Sequence, residues 1–171
     1  MAGEAGRGEA GITRFARHAI EYWALLGGVV LLAIAVMSTW SATTGFVFGK
    51  PLPGDFEMVE VLVAVAAFAF LPYCQLTDAN VTADIFTARA SRRTVAVFGL
   101  IASLTALGFA LLLLWRMYFG LLDYRQYVET TAILRFPIWM AYVPALVSLA
   151  LLVVACVITL KDAAQGVVRR D

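Results

Sequence analysis

The sequence has few charged side chains. Lysine, arginine, aspartate and glutamate make up 15% of its 171 residues, whereas they make up about 25% of a typical soluble domain. The 13 basic and 12 acidic residues leave a net charge of only +1, so the basic excess of a nucleic-acid-binding protein is missing. We therefore expect no nucleic-acid partner.

Histidine and cysteine are scarce as well. The single histidine, His18, lies in the charged N-terminal region, so the chain cannot supply the paired axial ligands that usually anchor a haem. Cys74 and Cys156 form no CxxC motif, which excludes a disulfide scaffold and a cysteine-rich metal site. No glycine-rich phosphate loop or nucleophile triad is present either. We expect no enzymatic activity, no bound cofactor and no metal.

Apolar residues, in contrast, are abundant. They make up 62% of the chain, against about 45–50% in soluble domains, and they form four stretches close to the roughly 20 residues that cross a bilayer. The predicted fold is an all-α integral membrane protein with four transmembrane helices packed as a bundle, over residues 21–161. Predicted tails cover 1–20 and 162–171, and the predicted spans are about 22–42, 57–76, 94–116 and 137–160. A cleaved signal peptide is a weaker interpretation of the first stretch, because that apolar run is long.

The cations are distributed unevenly between the two sides of the predicted membrane. Nine lie in the tails and in the connection between spans two and three, and four lie on the opposite side. The nine are Arg7, Arg14, Arg17, Arg89, Arg92, Arg93, Lys161, Arg169 and Arg170; the four are Lys50, Arg116, Arg125 and Arg135. Because cytoplasmic loops carry the excess of lysine and arginine, both termini are predicted to be cytoplasmic.

Two glutamates mark the outer start of span two. Glu57 and Glu60 are spaced i, i+3, and Ala64 and Ala67 continue the same helix face. One interpretation is that both carboxylates are hydrated at the interface, where a helix N-terminus favours negative charge. Another is that they anchor a partner protein, or pair with Lys50 or Arg135. A cation-transport role is less favoured, because no ionisable residue follows them inward.

Small residues recur at helical spacing in all four spans, as Ala24 and Gly28 do in span one. Such residues let helix backbones approach closely in a bilayer. The pattern predicts tight helix packing, within the chain or against a partner.

Four segments resemble a known family, the small transmembrane subunit of tripartite ATP-independent periplasmic (TRAP) transporters, called DctQ-like. The resemblance covers about residues 20–160, and the loop before Asp84 departs from the family in carrying Asn80 where many members have histidine. The segments are Pro51-Leu-Pro-Gly-Asp-Phe-Glu57-Met-Val-Glu60, Phe70-Leu-Pro-Tyr73, Asn80-Val-Thr-Ala-Asp84-Ile-Phe-Thr87 and Leu134-Arg-Phe-Pro137-Ile-Trp139.

This resemblance implies a multi-pass, non-catalytic subunit of the bacterial inner membrane. Its expected partners are the large transmembrane subunit of the transporter, the periplasmic solute-binding protein and membrane lipid. It would brace the fixed scaffold of the large subunit and help to dock the binding protein during ion-gradient-driven import of an organic acid or similar solute. The candidate partner-interface or structural residues are Glu57, Glu60, Asp84 and Arg135.

Two other functional classes fit the composition less well. A membrane anchor for a redox enzyme would require paired histidines or a quinone pocket. A small homo-oligomeric exporter would require an ionisable residue near the middle of a span, and the middles of the four predicted spans carry none.

Overall fold

The structure is a computed structural model that describes residues 2–77 and 92–168. Four long helices account for almost all of this part of the chain: α1 (Ala2–Phe48), α2 (Asp55–Leu76), α3 (Arg92–Tyr127) and α4 (Trp139–Val168). Each contains a stretch long and apolar enough to cross a membrane. The prediction of an all-α protein with four candidate spans is therefore confirmed.

The helices extend beyond the predicted spans. Helix α1 has 47 residues and begins at Ala2, so the predicted N-terminal tail of residues 1–20 is helical from its second residue. Helix α3 continues to Tyr127 rather than ending near residue 116. Its last turns are held against α4, where the Tyr124 and Tyr142 rings lie 5.1 Å apart and the Arg125 guanidinium lies 6.0 Å from the Trp139 ring centre.

The helices pack in the order α1–α2–α4–α3. Helix α4 contacts both α2 and α3 extensively, α2 also contacts α1, and α1 touches α4 over a smaller area. Within the described ranges α3 makes no comparable contact with α1 or α2. Consequently α4 is the most buried of the four and α3 the least.

Helix α1 carries a narrow stripe of buried residues at heptad-like spacing. Its members are Ile20, Ala24, Gly27, Ile34 and Ser41, a spacing typical of left-handed helix pairs. At the closest point a methyl group on Gly27 would lie 2.9 Å from Cβ of Ala69. Gly28, one of the predicted packing positions, would meet nothing within 4 Å. The close approach therefore depends on Gly27 instead.

Hydroxyl groups tie the helices together inside the apolar region. Trp23 Nε1 donates a hydrogen bond to Ser148 Oγ at 2.8 Å, and Ser148 Oγ donates in turn to the Pro144 carbonyl oxygen at 2.8 Å. In the same way Gln75 Nε2 donates to Thr159 Oγ1 at 3.2 Å. These bonds satisfy polar groups that would be costly to leave unpaired in lipid.

The two ends of the molecule can be named from their connections. We call the end with residues 49–54 and 128–138 the loop end, and the opposite end the terminal end. An ion pair between Arg17 and Asp162, 3.0 Å long, joins α1 to α4 at the terminal end. Because both side chains are largely exposed, this pair contributes little to stability.

Candidate functional site at the loop end

The connection from α1 to α2 is fixed by a buried serine. Helix α1 ends at Phe48, and the next residue, Gly49, forms a left-handed cap with a positive φ of 65° and an N–H bond to the Gly45 carbonyl oxygen (3.0 Å). Ser41 Oγ donates a hydrogen bond to the Asp55 carboxylate and accepts the Leu52 N–H at 3.1 Å. These bonds hold Asp55, the first residue of α2, at the same height as the turn of α1 that contains Ser41.

The connection from α3 to α4 forms a small hairpin, which we define as residues 128–138. Thr130 and Pro137 form an antiparallel bridge. The Thr131 N–H donates to the Phe136 carbonyl oxygen at 3.0 Å, and the Phe136 N–H donates to Thr131 Oγ1 at 3.0 Å. Arg135 has a positive φ of 53°, a conformation that is uncommon outside glycine. Val128, at the start of the hairpin, likewise has a positive φ of 49°. The hairpin is therefore a defined structure with two residues in this uncommon conformation.

Glu57 fastens this hairpin to the start of α2. One carboxylate oxygen accepts the Ile133 N–H at 2.8 Å, and the other accepts the Leu134 N–H at 3.0 Å. Hydrogen bonds to a charged carboxylate are stronger than those between neutral groups. The first turn of α2 also favours a negative charge, because the helix dipole is positive there. We call this arrangement the Glu57 clamp.

Leu134 makes the second contact between the hairpin and α2. Its side chain lies directly over Gly54, the buried residue that precedes α2 and that has a positive φ of 76°. A methyl group on Gly54 would lie 2.8 Å from Leu134 Cδ1, closer than real Cβ contacts come. Gly54 is therefore required both by its backbone conformation and by the lack of space.

The four candidate residues have different surroundings. Glu57 contacts the backbone next to Arg135, and in the described part of the chain no ion pair joins it to Arg135 or Lys50. Glu60 and Arg135 are exposed, and neither forms a hydrogen bond or ion pair through its side chain with any residue in 2–77 or 92–168. Asp84 lies outside the described residues. A partner role for these residues stays a prediction.

Two members of this site were not expected from the sequence, Ser41 and Asp55. Serine is common in apolar helices, and its partner in the next helix depends on the path of the connecting loop. The one local signal is the sequence Pro-Gly-Asp at residues 53–55, which is typical of a turn followed by a helix start.

The comparison with known families bears on the whole loop end. The family model "Tripartite ATP-independent periplasmic transporters, DctQ component" matches residues 34–166, which include both connections, the Glu57 clamp and all of α2 and α3. The chain belongs to the DctQ family. The resemblance predicted from the sequence is thus confirmed, and this DctQ-family chain is a membrane component of a transporter. No curated protein and no solved structure matches it.

The effect of the Glu57 clamp can be tested without the rest of the transporter. In a Glu57→Ala variant the Ile133 and Leu134 amides lose their acceptor, so we expect faster hydrogen exchange at these two amides. Exchange of the Thr131 amide, bonded to the Phe136 carbonyl oxygen, should be less affected. Glu60→Ala is the matched control, and equal exchange in all three proteins would show that the clamp does not hold the hairpin.

Proposed function

We propose that this chain is the small, non-catalytic subunit of a TRAP-type uptake transporter in the bacterial inner membrane. It braces the stationary part of the large transmembrane subunit and helps to dock the solute-binding protein. The observation that carries this proposal is the DctQ match over residues 34–166. The imported solute is an organic acid or a similar compound. On this proposal the other components of the transporter bind the solute and the coupling ion.

The orientation follows from the charge distribution. Nine of the 13 cations lie in the sequence before predicted span one, between spans two and three, or after span four, and four lie near the other two connections. The positive-inside rule then supports cytoplasmic termini, with the loop end on the periplasmic side.

One face of α2 is suited to the large subunit. Its exposed residues include Glu60, Ala64, Ala67 and Leu71, spaced by four, three and four. Alanine permits close backbone approach in a bilayer, and a carboxylate inside a span needs a polar or cationic partner. The exposed faces of α1 and α3 also carry bulky residues, such as Leu32 and Phe109, which are suited to lipid.

Co-purification tests this assignment. Glu60→Ala combined with Ala64→Leu should weaken the recovery of the large subunit with this chain and slow solute uptake in cells, because the new side chain separates the two surfaces. Ala102→Leu, at an exposed position of α3, is the matched control and should have no effect. Unchanged recovery and uptake in the α2 variant would contradict the role of this face.

A second measurement tests the proposed function as a whole. The purified chain reconstituted alone in liposomes should transport nothing, and uptake should require the large subunit and the binding protein. Solute accumulation by the chain alone would overturn the proposal.

A further inference from the structure

Helix α1 continues past the level at which α2 begins. The bonds from Ser41 to Asp55 and Leu52 place the start of α2 beside Ser41, and Trp40, one residue earlier, is an exposed aromatic of the kind that lies at a membrane interface. Helix α1 nevertheless continues for seven residues to Phe48. We call residues 42–50 the spur.

The spur carries two highly exposed aromatic side chains. Phe46 is 93% exposed and Phe48 is 73% exposed. At a rise of about 1.5 Å per residue, they lie about 9 and 12 Å beyond Trp40 along the helix axis. A lipid headgroup layer is only about 5–8 Å thick on each side of the hydrocarbon core. If the membrane boundary were placed at the level of Glu60 instead of Trp40, the spur would lie even further from the hydrocarbon core. Lipid is therefore poorly placed to cover these rings.

The described residues of the chain leave both rings exposed. Another molecule could therefore reach them.

The charge around the spur indicates what kind of surface would fit it. Lys50 is exposed at the end of the spur. The two acidic residues nearest in sequence, Asp55 and Glu57, lie in α2 rather than on the spur and accept hydrogen bonds from Ser41 and from the hairpin. The spur thus presents two aromatic rings beside a cation, which an apolar depression bordered by carboxylates would complement.

We infer that the spur, through Phe46, Phe48 and Lys50, is a docking ridge for a water-soluble protein whose contact face combines an apolar depression with carboxylates. Its position beyond the headgroups favours a soluble partner over a lipid or a purely membrane-embedded helix. The inference rests on the proposed function for the identity of this partner, the solute-binding protein.

The test places a benzophenone photo-crosslinker at residue 46 in the assembled transporter, with purified binding protein added. We expect a crosslink to the binding protein, weakened by high salt. The same crosslinker at residue 32, an exposed α1 position within the span, should not give it. Crosslinking from residue 46 to lipid or the large subunit alone would overturn the inference.

A second experiment measures solute uptake by a transporter whose small subunit carries both Phe46→Ala and Lys50→Glu. These changes should raise the binding-protein concentration needed for half-maximal uptake roughly fivefold or more, while the maximal rate and co-purification with the large subunit stay normal. An unchanged concentration dependence would overturn the inference and leave the proposed function intact. Failure of the unmodified chain to co-purify with the large subunit would instead count against the proposed function.

Discussion

Replacing Gly54 with alanine should destabilise the protein by about 3 kcal/mol. The positive φ of 76° costs an L-residue about 1–2 kcal/mol, and the new methyl group would collide with Leu134, at a cost of about 1–3 kcal/mol. Unfolding in mixed detergent micelles, followed by circular dichroism, would measure the free energy of unfolding.

Gly49 provides the matched control for Gly54. Its φ is 65°, but a methyl group there would meet nothing within 4 Å, so Gly49→Ala should cost only about 1–2 kcal/mol of conformational strain. In a Leu134→Ala background the collision is gone, and Gly54→Ala should then cost about as much as Gly49→Ala. If the cost of Gly54→Ala did not change in that background, the hairpin would not lie on Gly54.

Replacing Gly27 with leucine should have a comparably large effect, about 3 kcal/mol or more. Gly27 is buried, and even a methyl group would approach Cβ of Ala69 to 2.9 Å and the Ala66 carbonyl oxygen to 3.5 Å. A leucine would force α1 away from α2 and would disturb the stripe from Ile20 to Ser41. The same micelle unfolding measurement applies.

Gly28, the neighbouring glycine, provides the matched control for Gly27. Gly28→Leu adds the same side chain one residue further along α1, where a new methyl group would meet nothing within 4 Å. We expect no loss of stability and a gain of up to about 1 kcal/mol, because a glycine inside a helix is unfavourable by about that much. Equal effects of the two substitutions would mean that α1 packs on α2 in a different rotation about its axis.

The number of helices could be predicted from the sequence because length and apolarity alone define a span. The rotation of each helix could not. Gly27 and Gly28 are both surrounded by apolar residues, and in a membrane the lipid-facing side of a helix is as hydrophobic as the packed side. The stripes around Ala24 and Gly28 therefore indicated tight packing without distinguishing the correct glycine.

The candidate site was predicted in part for a similar reason. The position of Glu57 at the outer start of a span is a local property, and the sequence identified it. Its bonding partners, Ile133 and Leu134, are more than 70 residues away and donate through backbone N–H groups, which have no side-chain signature. Charge alone suggested Lys50 or Arg135 as partners of Glu57. In the structure the path of the hairpin brings backbone N–H groups to the Glu57 carboxylate instead.

The packing order α1–α2–α4–α3 has a consequence for biogenesis. Helices α1 and α2 are neighbours in sequence and in space, so they can pair as soon as both have left the ribosome. Helix α3 is synthesised next but has its main contact surface on α4, so within this chain it gains that contact only when the last helix is inserted. Insertion of helix α4 therefore joins the α1–α2 pair to α3 and completes the packing of the subunit.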